Sequence, residues 1–425
     1  MVPVGVIAAA PAYLIRSIGH PEYRAHLAER RGRLPVDLSE RLGRLGRRPV
    51  WVQAVSVGEV FLARTLLTAM AVSGEPEGAS PPPPFVLSST TPAGRQAAAS
   101  LTIDGLQGVF HFPIDWPPFV RRALDTVRPA AYISVETEIW PALLAECGRR
   151  GVPVLIVNGR ISERSRAWYR RLGRLMREPL SAVRLACMQS EEDAARLRSV
   201  GVPADRVVVT GNMKFDAAPC LDEGADELRA LFGLTPGEGP LVVAGSTSAG
   251  EEVQVLDAFE MIGVKGTTLI LAPRHRERFE EVARLLAGRG IPFVRRSELP
   301  SAGPRRVILL DSIGELARVY GLADAAFVGG SLVRRGGQNL IEPAARGVPV
   351  LFGPHTENFA PVAEAMSAVG AGFRVRGARE LAAALRLLLA DSGLRNRAGS
   401  AGRALIEAHR GATRRTIDHI RPFLG

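Results

Sequence analysis

The chain has 425 residues, which is too long for one ordinary hydrophobic core and predicts two domains. Hydrophobic residues make up 46% of it and charged residues 23%, values that exclude an intrinsically disordered chain and indicate a folded soluble one. The net charge is +11, and the three cysteines and seven histidines show no paired or clustered spacing. The sequence therefore predicts neither a disulfide framework nor a dedicated metal site.

The first 48 residues combine an apolar run with a cluster of arginines. Residues 2–15, VPVGVIAAAPAYLI, carry no charge, but the run is shorter than a membrane-spanning helix and lacks the basic start of a signal peptide. Residues 16–48 contain nine arginines and four acidic residues, a net charge of +5. This pattern predicts a monotopic anchor on an anionic membrane surface, with a buried first helix and a solvated basic face as the alternative. Nucleic-acid binding is not expected, because the arginines are not interleaved with aromatic residues.

The segment VWVQAVSVGEV, residues 50–60, predicts a buried strand over Val50–Val57 that turns directly into a helix. Ser56 and Gly58 are small residues suited to the turn, and EVFLARTLLTAM has the pattern of the helix. Glu59 stands at this turn, where a phosphate-binding loop would keep its backbone amides free for an anion. The position of this carboxylate is therefore unusual.

Short apolar strands alternate with helical segments along the rest of the chain. A proline-rich loop at 73–84 precedes the next strand, and a polar, turn-forming stretch at 219–240 separates two alternating series. The pattern predicts an α/β protein of two Rossmann-like parallel-sheet domains, with a ligand in the cleft between them at the carboxyl ends of the strands. Neither series contains Gly-x-Gly-x-x-Gly or a P-loop, which disfavours dinucleotide oxidoreductases and P-loop enzymes.

Charged and polar residues of the first series fall where predicted strands end. They are Arg95, Glu136, Glu138, Arg160, Ser162 and Lys214. Each alone is compatible with an ordinary surface residue, but together they place cations and carboxylates at one edge, which suits an anionic sugar acid and a phosphorylated acceptor. Lys214 is one of two lysines among 54 basic residues, so its compact ammonium is a candidate for a specific role, with chance as the alternative.

The second series contains a glycine-rich segment, FVGGSLVRRGGQNLIEP, at residues 327–343. Gly330 and Ser331 follow a predicted strand, and Asn339 and Glu342 begin a helix. We expect backbone amides and the helix start to bind phosphate, while Glu342 accepts hydrogen bonds from a ribose. A capped helix after a glycine turn is the alternative. Two neighbouring strand ends strengthen the prediction of a nucleotide pocket; they contribute Gly245, Ser246, Pro273, Arg274 and His275.

Taken in order, these motifs resemble the 3-deoxy-D-manno-octulosonic acid (Kdo) transferase family of lipopolysaccharide biosynthesis, over about residues 20–410. The motifs are AVSVGE, SSTTPAGR, FPIDWP, ETEIWP, GRISERS, SEEDAARLRSVGV, TGNMKFD, AGSTSAGEE, PRH, LDSIGELARVYGLADAAFVGGSL and GGQNLIEPAARGVPVLFGPHTENF. Gln53 departs from the family, which usually has histidine before AVSVGE, and the apolar N-terminus is shorter than in many members.

The resemblance implies a GT-B glycosyltransferase that is peripheral or monotopic on the cytoplasmic face of the inner membrane and needs neither a metal nor a cofactor. Its implied substrates are CMP-Kdo and the lipid A precursor lipid IVA. The implied domains are a membrane-proximal region at 1–48, an acceptor-binding domain at 49–220 and a CMP-sugar-binding domain at 221–425. The last helix is a candidate to pack back on the N-terminal domain. The alternatives are a GT-B UDP-sugar transferase or epimerase and a non-catalytic membrane-surface module.

For individual residues the resemblance implies a division of roles. Glu59 resembles the family's catalytic base for an inverting transfer, and the helix start is expected to keep it ionised at neutral pH. Arg95, Glu138 and Lys214 are implied on the acceptor or sugar-acid side, with Glu136 open as a substitute for Glu138. The implied donor side comprises Pro273, Arg274, Gly330, Ser331, Asn339 and Glu342. The other substrate-binding candidates are Ser56, Gly58, Arg160, Ser162, Gly245, Ser246 and His275.

Overall fold

The computed structural model describes residues 26–72, 83–217, 224–234, 239–299 and 306–424. The apolar run at 2–15, most of the proline-rich loop and part of the predicted domain boundary lie outside these residues. The chain forms two compact units. The N-terminal unit extends to Ala217 and includes the chain from Arg410 onward, and the C-terminal unit is Ala218–His409. Within the described ranges, no helix combines the length and apolar character needed to cross a membrane.

A seven-stranded parallel sheet is the centre of the N-terminal unit. Its strands are β1 (Val50–Ala54), β2 (Phe85–Ser89), β3 (Leu106–His111), β4 (Ala131–Val135), β5 (Val154–Gly159), β6 (Val183–Met188) and β7 (Val207–Val209). They lie in the order β3-β2-β1-β4-β5-β6-β7. The helices are α1 (Leu27–Arg30), α2 (Val36–Arg44), α3 (Val57–Val72), α4 (Pro92–Ala99), α5 (Pro117–Val127), α6 (Pro141–Arg149), α7 (Glu163–Leu172), α8 (Arg174–Ser181) and α9 (Glu191–Ser199).

The first strand shows why this sheet is apolar on both faces. Trp51 packs edge-on against Tyr132 on one face, with ring centroids 5.7 Å apart, whereas Val52 belongs to the core on the other face. The prediction of a strand as far as Val57 is wrong by three residues, because β1 ends at Ala54 and α3 begins at Val57. The Val55 N–H donates to a side chain of α3 instead of continuing the ladder.

The C-terminal unit is built around a second seven-stranded parallel sheet. Its strands are β8 (Leu241–Thr247), β9 (Thr268–Pro273), β10 (Phe293–Arg295), β11 (Val307–Leu309), β12 (Ala325–Val328), β13 (Val350–Phe352) and β14 (Gly372–Arg374). They lie in the order β10-β11-β9-β8-β12-β13-β14. The helices are α10 (Ala225–Leu231), α11 (Glu251–Met261), α12 (Phe279–Gly288), α13 (Leu316–Val319), α14 (Ile341–Ala345), α15 (Ala360–Ala368), α16 (Ala378–Ala390) and α17 (Ser392–His409).

The last helix, α18 (Ala412–Ile420), belongs to the N-terminal unit. The backbone N–H groups of Gly411 and Thr413 donate to the Asp216 carboxylate at 2.7 and 2.6 Å. Thr416 Oγ1 donates to Thr210 Oγ1 at 2.9 Å, in a buried contact. The start of α18 is therefore fixed to the segment that follows β7.

Each sheet has one point where the order of its strands reverses, between β1 and β4 in the N-terminal unit and between β8 and β12 in the C-terminal unit. Open α/β sheets bind ligands beyond the carboxyl ends of their strands at such a switch point. Glu59 follows β1 and Glu136 follows β4, so both lie at the first switch point. Gly245 in β8 and Gly330 after β12 lie at the second.

Candidate active site

Glu59 lies in the first turn of α3, and its side chain turns back toward the end of β1. Its Oε2 accepts the Val55 N–H at 2.7 Å, and its Oε1 accepts the Ser56 hydroxyl at 2.9 Å. Only 8% of the residue is exposed. The amide at this turn is therefore bound to a carboxylate of the protein itself.

The pKa of Glu59 is raised to about 8, mainly by burial and in part by the nearby carboxylates of Glu136 and Glu138, while the hydrogen bonds from Val55 and Ser56 act to lower it. The expectation that the helix start keeps Glu59 ionised at neutral pH is wrong. Loss of hydration outweighs the helix dipole, because the dipole contributes only about 0.3–1 kcal/mol at such a position. Glu59 is mostly protonated at pH 7, and its pKa is close to the value that suits a general base.

Glu136 and Glu138 both lie in the loop from β4 to α6 but have different surroundings. Glu136 has a left-handed backbone conformation, φ 60°, and its Oε1 lies 3.4 Å from the Lys214 ammonium. Both partners of this ion pair are about one fifth exposed. Burial, together with the charge of Glu136, raises the pKa of Glu138 to about 7. The structure thus brings Glu59, Glu136, Glu138 and Lys214 to one edge of the sheet.

Arg95 lies at the start of α4 beside residues that the sequence analysis missed. Its Nε is 3.7 Å from the Glu29 carboxylate, which also accepts the His111 N–H at 2.6 Å. Burial and the neighbouring Arg30 lower the pKa of His111 to about 3, so this imidazole is neutral. No motif drew attention to Glu29 or Arg30, because they precede β1 by about twenty residues and reach Arg95 only through the fold.

Three other candidates occupy more exposed positions on the same unit. Arg160 follows β5, and its N–H donates to Thr137 Oγ1 at 2.8 Å. Ser162 caps α7 by accepting the Ser165 N–H at 3.1 Å, which is a structural role compatible with ligand binding. Gly58 is exposed in the first turn of α3.

Asp115 supports the loop that carries the two glutamates. Its carboxylate accepts the N–H groups of Ala142 and Leu143 at 3.0 and 2.9 Å, in the first turn of α6. This contact fixes the end of the loop that contains Glu136 and Glu138. The only signal for Asp115 in the sequence is its place in the FPIDWP motif.

In the C-terminal unit, the amides expected to bind phosphate are already hydrogen-bonded. The N–H groups of Gly330 and Ser331 donate to the buried Glu251 carboxylate at 2.6 and 2.9 Å. The Ser331 hydroxyl donates to Val328 O and accepts the Gly353 N–H, at 2.6 and 2.8 Å. The expectation that these glycine-loop amides close on a phosphate is therefore wrong, because a side chain of the protein fills that position.

Glu342 and Arg274 remain together at the second switch point. Burial raises the pKa of Glu342, while the hydrogen bond from Asn339, at 3.1 Å, and the positive charge of Arg274 lower it. Asn339 Oδ1 also accepts the N–H of Ile341, the first residue of α14, at 3.0 Å. Glu342 is thus held in one orientation near an exposed guanidinium.

The neighbouring strand ends complete this surface. Gly245 is required where it stands, because a Cβ atom there would lie 1.9 Å from the hydroxyl of the buried Tyr320. Ser246 has φ 55° and is nearly buried, Pro273 ends β9, and His275 is exposed. Within the described part of the chain, no three His, Cys, Asp or Glu side chains are grouped so as to hold a metal ion.

Comparison with known proteins identifies the family. A family model described as 3-deoxy-D-manno-octulosonic-acid transferase (kdotransferase) matches residues 26–217. The 3-deoxy-D-manno-octulosonic acid transferase of Bordetella pertussis is 37% identical over 405 residues, covering 91% of this chain and 91% of that protein. The chain belongs to the Kdo transferase family. The Haemophilus influenzae transferase is 34% identical over 418 residues, covering 96% of this chain and 93% of that protein.

Membership of the Kdo transferase family confirms the enzyme class predicted from the ordered motifs: a glycosyltransferase that transfers Kdo in lipopolysaccharide biosynthesis. Solved structures share its fold at low identity. The Anabaena protein HepE in complex with UDP matches with a TM-score of 0.55 and 14% identity, covering 88% of this chain and 99% of that one. This likeness confirms two parallel-sheet α/β units of the GT-B kind and carries no statement about substrate.

Proposed function

We propose that this Kdo transferase moves Kdo from CMP-Kdo to the lipid A precursor lipid IVA. The N-terminal unit would present the acceptor hydroxyl to Glu59, and the C-terminal unit would bind the CMP portion of the donor through Arg274, Asn339 and Glu342. The observation that carries the proposal is a buried, protonatable glutamate at the switch point of a Kdo transferase chain.

The proposed transfer inverts the anomeric carbon of Kdo. The acceptor oxygen forms a bond to that carbon while the bond from the carbon to the CMP phosphate oxygen breaks, and its electron pair leaves with CMP. Glu59 accepts the hydroxyl proton as the new bond forms, so it has to be ionised when the acceptor binds. Attack from the face opposite CMP needs only one carboxylate for proton transfer.

Cationic side chains are proposed to bind the negative charges of the substrates. Kdo carries a carboxylate, CMP a phosphate and the acceptor phosphate groups. Arg95 and Lys214 follow β2 and β7 of the first sheet, and Arg274 follows β9 of the second. Lysine supplies a compact charge that reaches one oxygen, whereas arginine binds carboxylate or phosphate with two parallel N–H groups. We propose that no metal or further cofactor takes part, since the sequence contains no Asp-x-Asp pair.

We also propose that the protein works on the cytoplasmic face of the inner membrane, where a lipid-linked acceptor is accessible. The support is the apolar run at 2–15 next to nine arginines in residues 16–48. An apolar segment inserts into the interface while arginines bind anionic head groups, each contributing about 1 kcal/mol.

The test is direct. Purified protein is incubated with CMP-Kdo and lipid IVA, and the lipid is analysed by mass spectrometry, with matched reactions that contain a UDP-sugar in place of CMP-Kdo. We expect a mass increase of one or more Kdo units with CMP-Kdo alone, and tighter binding of CMP than of UDP in calorimetry. Transfer from the UDP-sugar, or no Kdo increment with active protein, would contradict the proposal.

A further inference from the structure

Glu251, the first residue of α11, is fully buried, and its carboxylate accepts four backbone N–H groups. Oε2 accepts from Ser248 at 2.8 Å and from Gly330 at 2.6 Å. Oε1 accepts from Ser331 at 2.9 Å and from Leu332 at 2.8 Å. One carboxylate therefore joins the start of α11 to the segment that leaves β12.

The segment held by Glu251 begins the loop from β12 to α14, here called the donor loop (residues 329–340). Gly329 comes so close to α11 that a Cβ atom there would lie 2.6 Å from Ser246 O and 2.8 Å from Glu251 Oε2. The donor loop ends at Asn339 and Leu340, which lead into α14 and Glu342. Its first residues are thus fixed by Glu251, and its end carries Asn339 and leads into Glu342, two of the three residues proposed to bind CMP.

The same tetrapeptide pattern occurs at the start of α3 and of α11, the helices that follow the first strand of each sheet. Residues 56–59 are SVGE and residues 248–251 are SAGE, and in both the glutamate turns back toward the preceding strand. Glu59 accepts one backbone N–H and one hydroxyl, whereas Glu251 accepts four N–H groups. The four N–H donors around Glu251 form the kind of concave amide site that binds anions in other proteins.

We propose that Glu251 is a positioning residue for donor binding, whose carboxylate occupies the place of a phosphate at the amides of the donor loop. The proposal rests on the proposed function, which assigns the donor to this unit. A loop that is ordered before the ligand arrives loses less conformational entropy on binding, so the affinity for the donor is higher. The CMP phosphate then binds to other groups, because these four amides are not free.

The experiment compares two substitutions at Glu251 with a matched control. Glu251→Ala removes the carboxylate, and Glu251→Gln keeps an oxygen acceptor but points an amide N–H₂ at backbone donors. The control is Asp324→Asn, because Asp324 accepts the Leu241 N–H at 2.9 Å at the opposite end of the same sheet. For each protein we would measure the Kd for CMP, the KM for CMP-Kdo and for lipid IVA, and the melting temperature.

We expect Glu251→Ala to raise the Kd for CMP and the KM for CMP-Kdo by about tenfold or more, with little change in the KM for lipid IVA. Added sodium formate should restore part of the CMP affinity, because formate can bind the vacated amides. If Glu251 only stabilised the fold, its replacement would lower the melting temperature. The KM for CMP-Kdo would then not rise selectively, and formate would not restore CMP affinity. Asp324→Asn should leave the CMP affinity unchanged.

An unchanged Kd in a folded variant would overturn the proposal. A lower Kd would overturn it too, because it would mean that Glu251 competes with the donor phosphate for these amides. If Glu251→Ala does not fold, Glu251→Gln decides by the same criteria. If the wild-type protein binds UDP instead of CMP, the proposed function fails, and the effect of Glu251 is then measured with UDP.

Discussion

In the pH–rate profile, the fall of kcat/KM at low pH should follow the protonation of Glu59. Replacing Glu138 by glutamine should shift this acidic limb along the pH axis. With a pKa of about 8, about a tenth of Glu59 is ionised at pH 7, so kcat/KM should rise about tenfold per pH unit below pH 8 and then level off. Burial is the main cause of the raised pKa, and the charges of Glu136 and Glu138 add to it. Removing the charge of Glu138, which is ionised above its own pKa of about 7, should shift the acidic limb to lower pH.

The assay is kcat/KM for Kdo transfer between pH 5.5 and 9.5 in wild type, Glu138→Gln and the control Glu146→Gln. Glu146 is a buried carboxylate of the same unit that is paired with Arg121 and Arg149, so its removal should leave the limb in place. The quantity compared is the pH at which kcat/KM levels off. The maximal kcat/KM is not compared, because Glu138→Gln is expected to lower it as well. An acidic limb near pH 4.5 in the wild type, or no shift in Glu138→Gln, would contradict the raised pKa of Glu59 and its coupling to Glu138.

The same raised pKa sets the sign of a stability effect. The pKa of Glu59 is higher in the folded state than the 4.5 of an exposed glutamate, so the folded state binds more protons between pH 4.5 and 8. This contribution to stability is greatest below pH 4.5 and is lost as the pH rises through 8. Glu59→Gln should therefore gain stability relative to wild type between pH 6 and 9 in urea unfolding, and a constant difference across that range would contradict the assignment.

Three further variants test the other roles. Glu342→Ala should weaken CMP binding by about 1–3 kcal/mol in calorimetry, as for the loss of a charged hydrogen bond, and wild-type affinity in the folded variant would reject the role. Lys214→Arg should lose most turnover at an unchanged melting temperature, because a planar guanidinium cannot replace the ammonium beside Glu136; full turnover would reject it. Deleting residues 1–15 and raising the salt should each reduce sedimentation with anionic vesicles, and sedimentation unaffected by both would contradict membrane anchoring.

Local patterns were sufficient to predict the parallel-sheet class and the turn before α3. Short β-branched runs that alternate with helices predict strands buried on both faces, and β1, β4, β5 and β8 are such strands. The strand β3 has no such pattern, because LQGVFH contains a polar residue and a glycine. Gly108 lets β3 lie close to α2, since a Cβ atom there would lie 2.8 Å from the Leu38 side chain and force it to shift. That contact is tertiary, so no local pattern could predict it.

The pKa values of the site residues depend on which strands are neighbours in the sheet, and this order could not be predicted from the sequence. Glu59 and Glu138 are far apart in the chain, but β1 pairs with β4, and this pairing brings their carboxylates close enough to raise the pKa of Glu59. The contact between Glu251 and the amides of the donor loop also depends on the fold, because Glu251 lies 79 residues before Gly330. The motifs placed these residues after predicted strands, whereas their charge states depend on contacts that only the fold creates.

Gln53 lies inside β1, just before the turn that leads to Glu59. Its side chain is fully buried in β1, where Nε2 donates to Thr90 Oγ1 at 3.0 Å and Oε1 accepts the Ser88 hydroxyl. The same hydroxyl accepts the Trp51 indole N–H at 2.7 Å. Gln53 therefore belongs to a buried hydrogen-bond network at the end of β1.

The most direct test of the account is the turnover of Glu59→Gln in Kdo transfer from CMP-Kdo to lipid IVA, measured by mass spectrometry at pH 8. Glutamine preserves the size of the side chain and the hydrogen bond from Val55 but cannot accept a proton. We expect turnover to be lower by about 10²–10⁴-fold, with the Kd for CMP near that of the wild type. A folded Glu59→Gln protein that transfers Kdo at a near-normal rate would contradict the assignment of Glu59 as the general base.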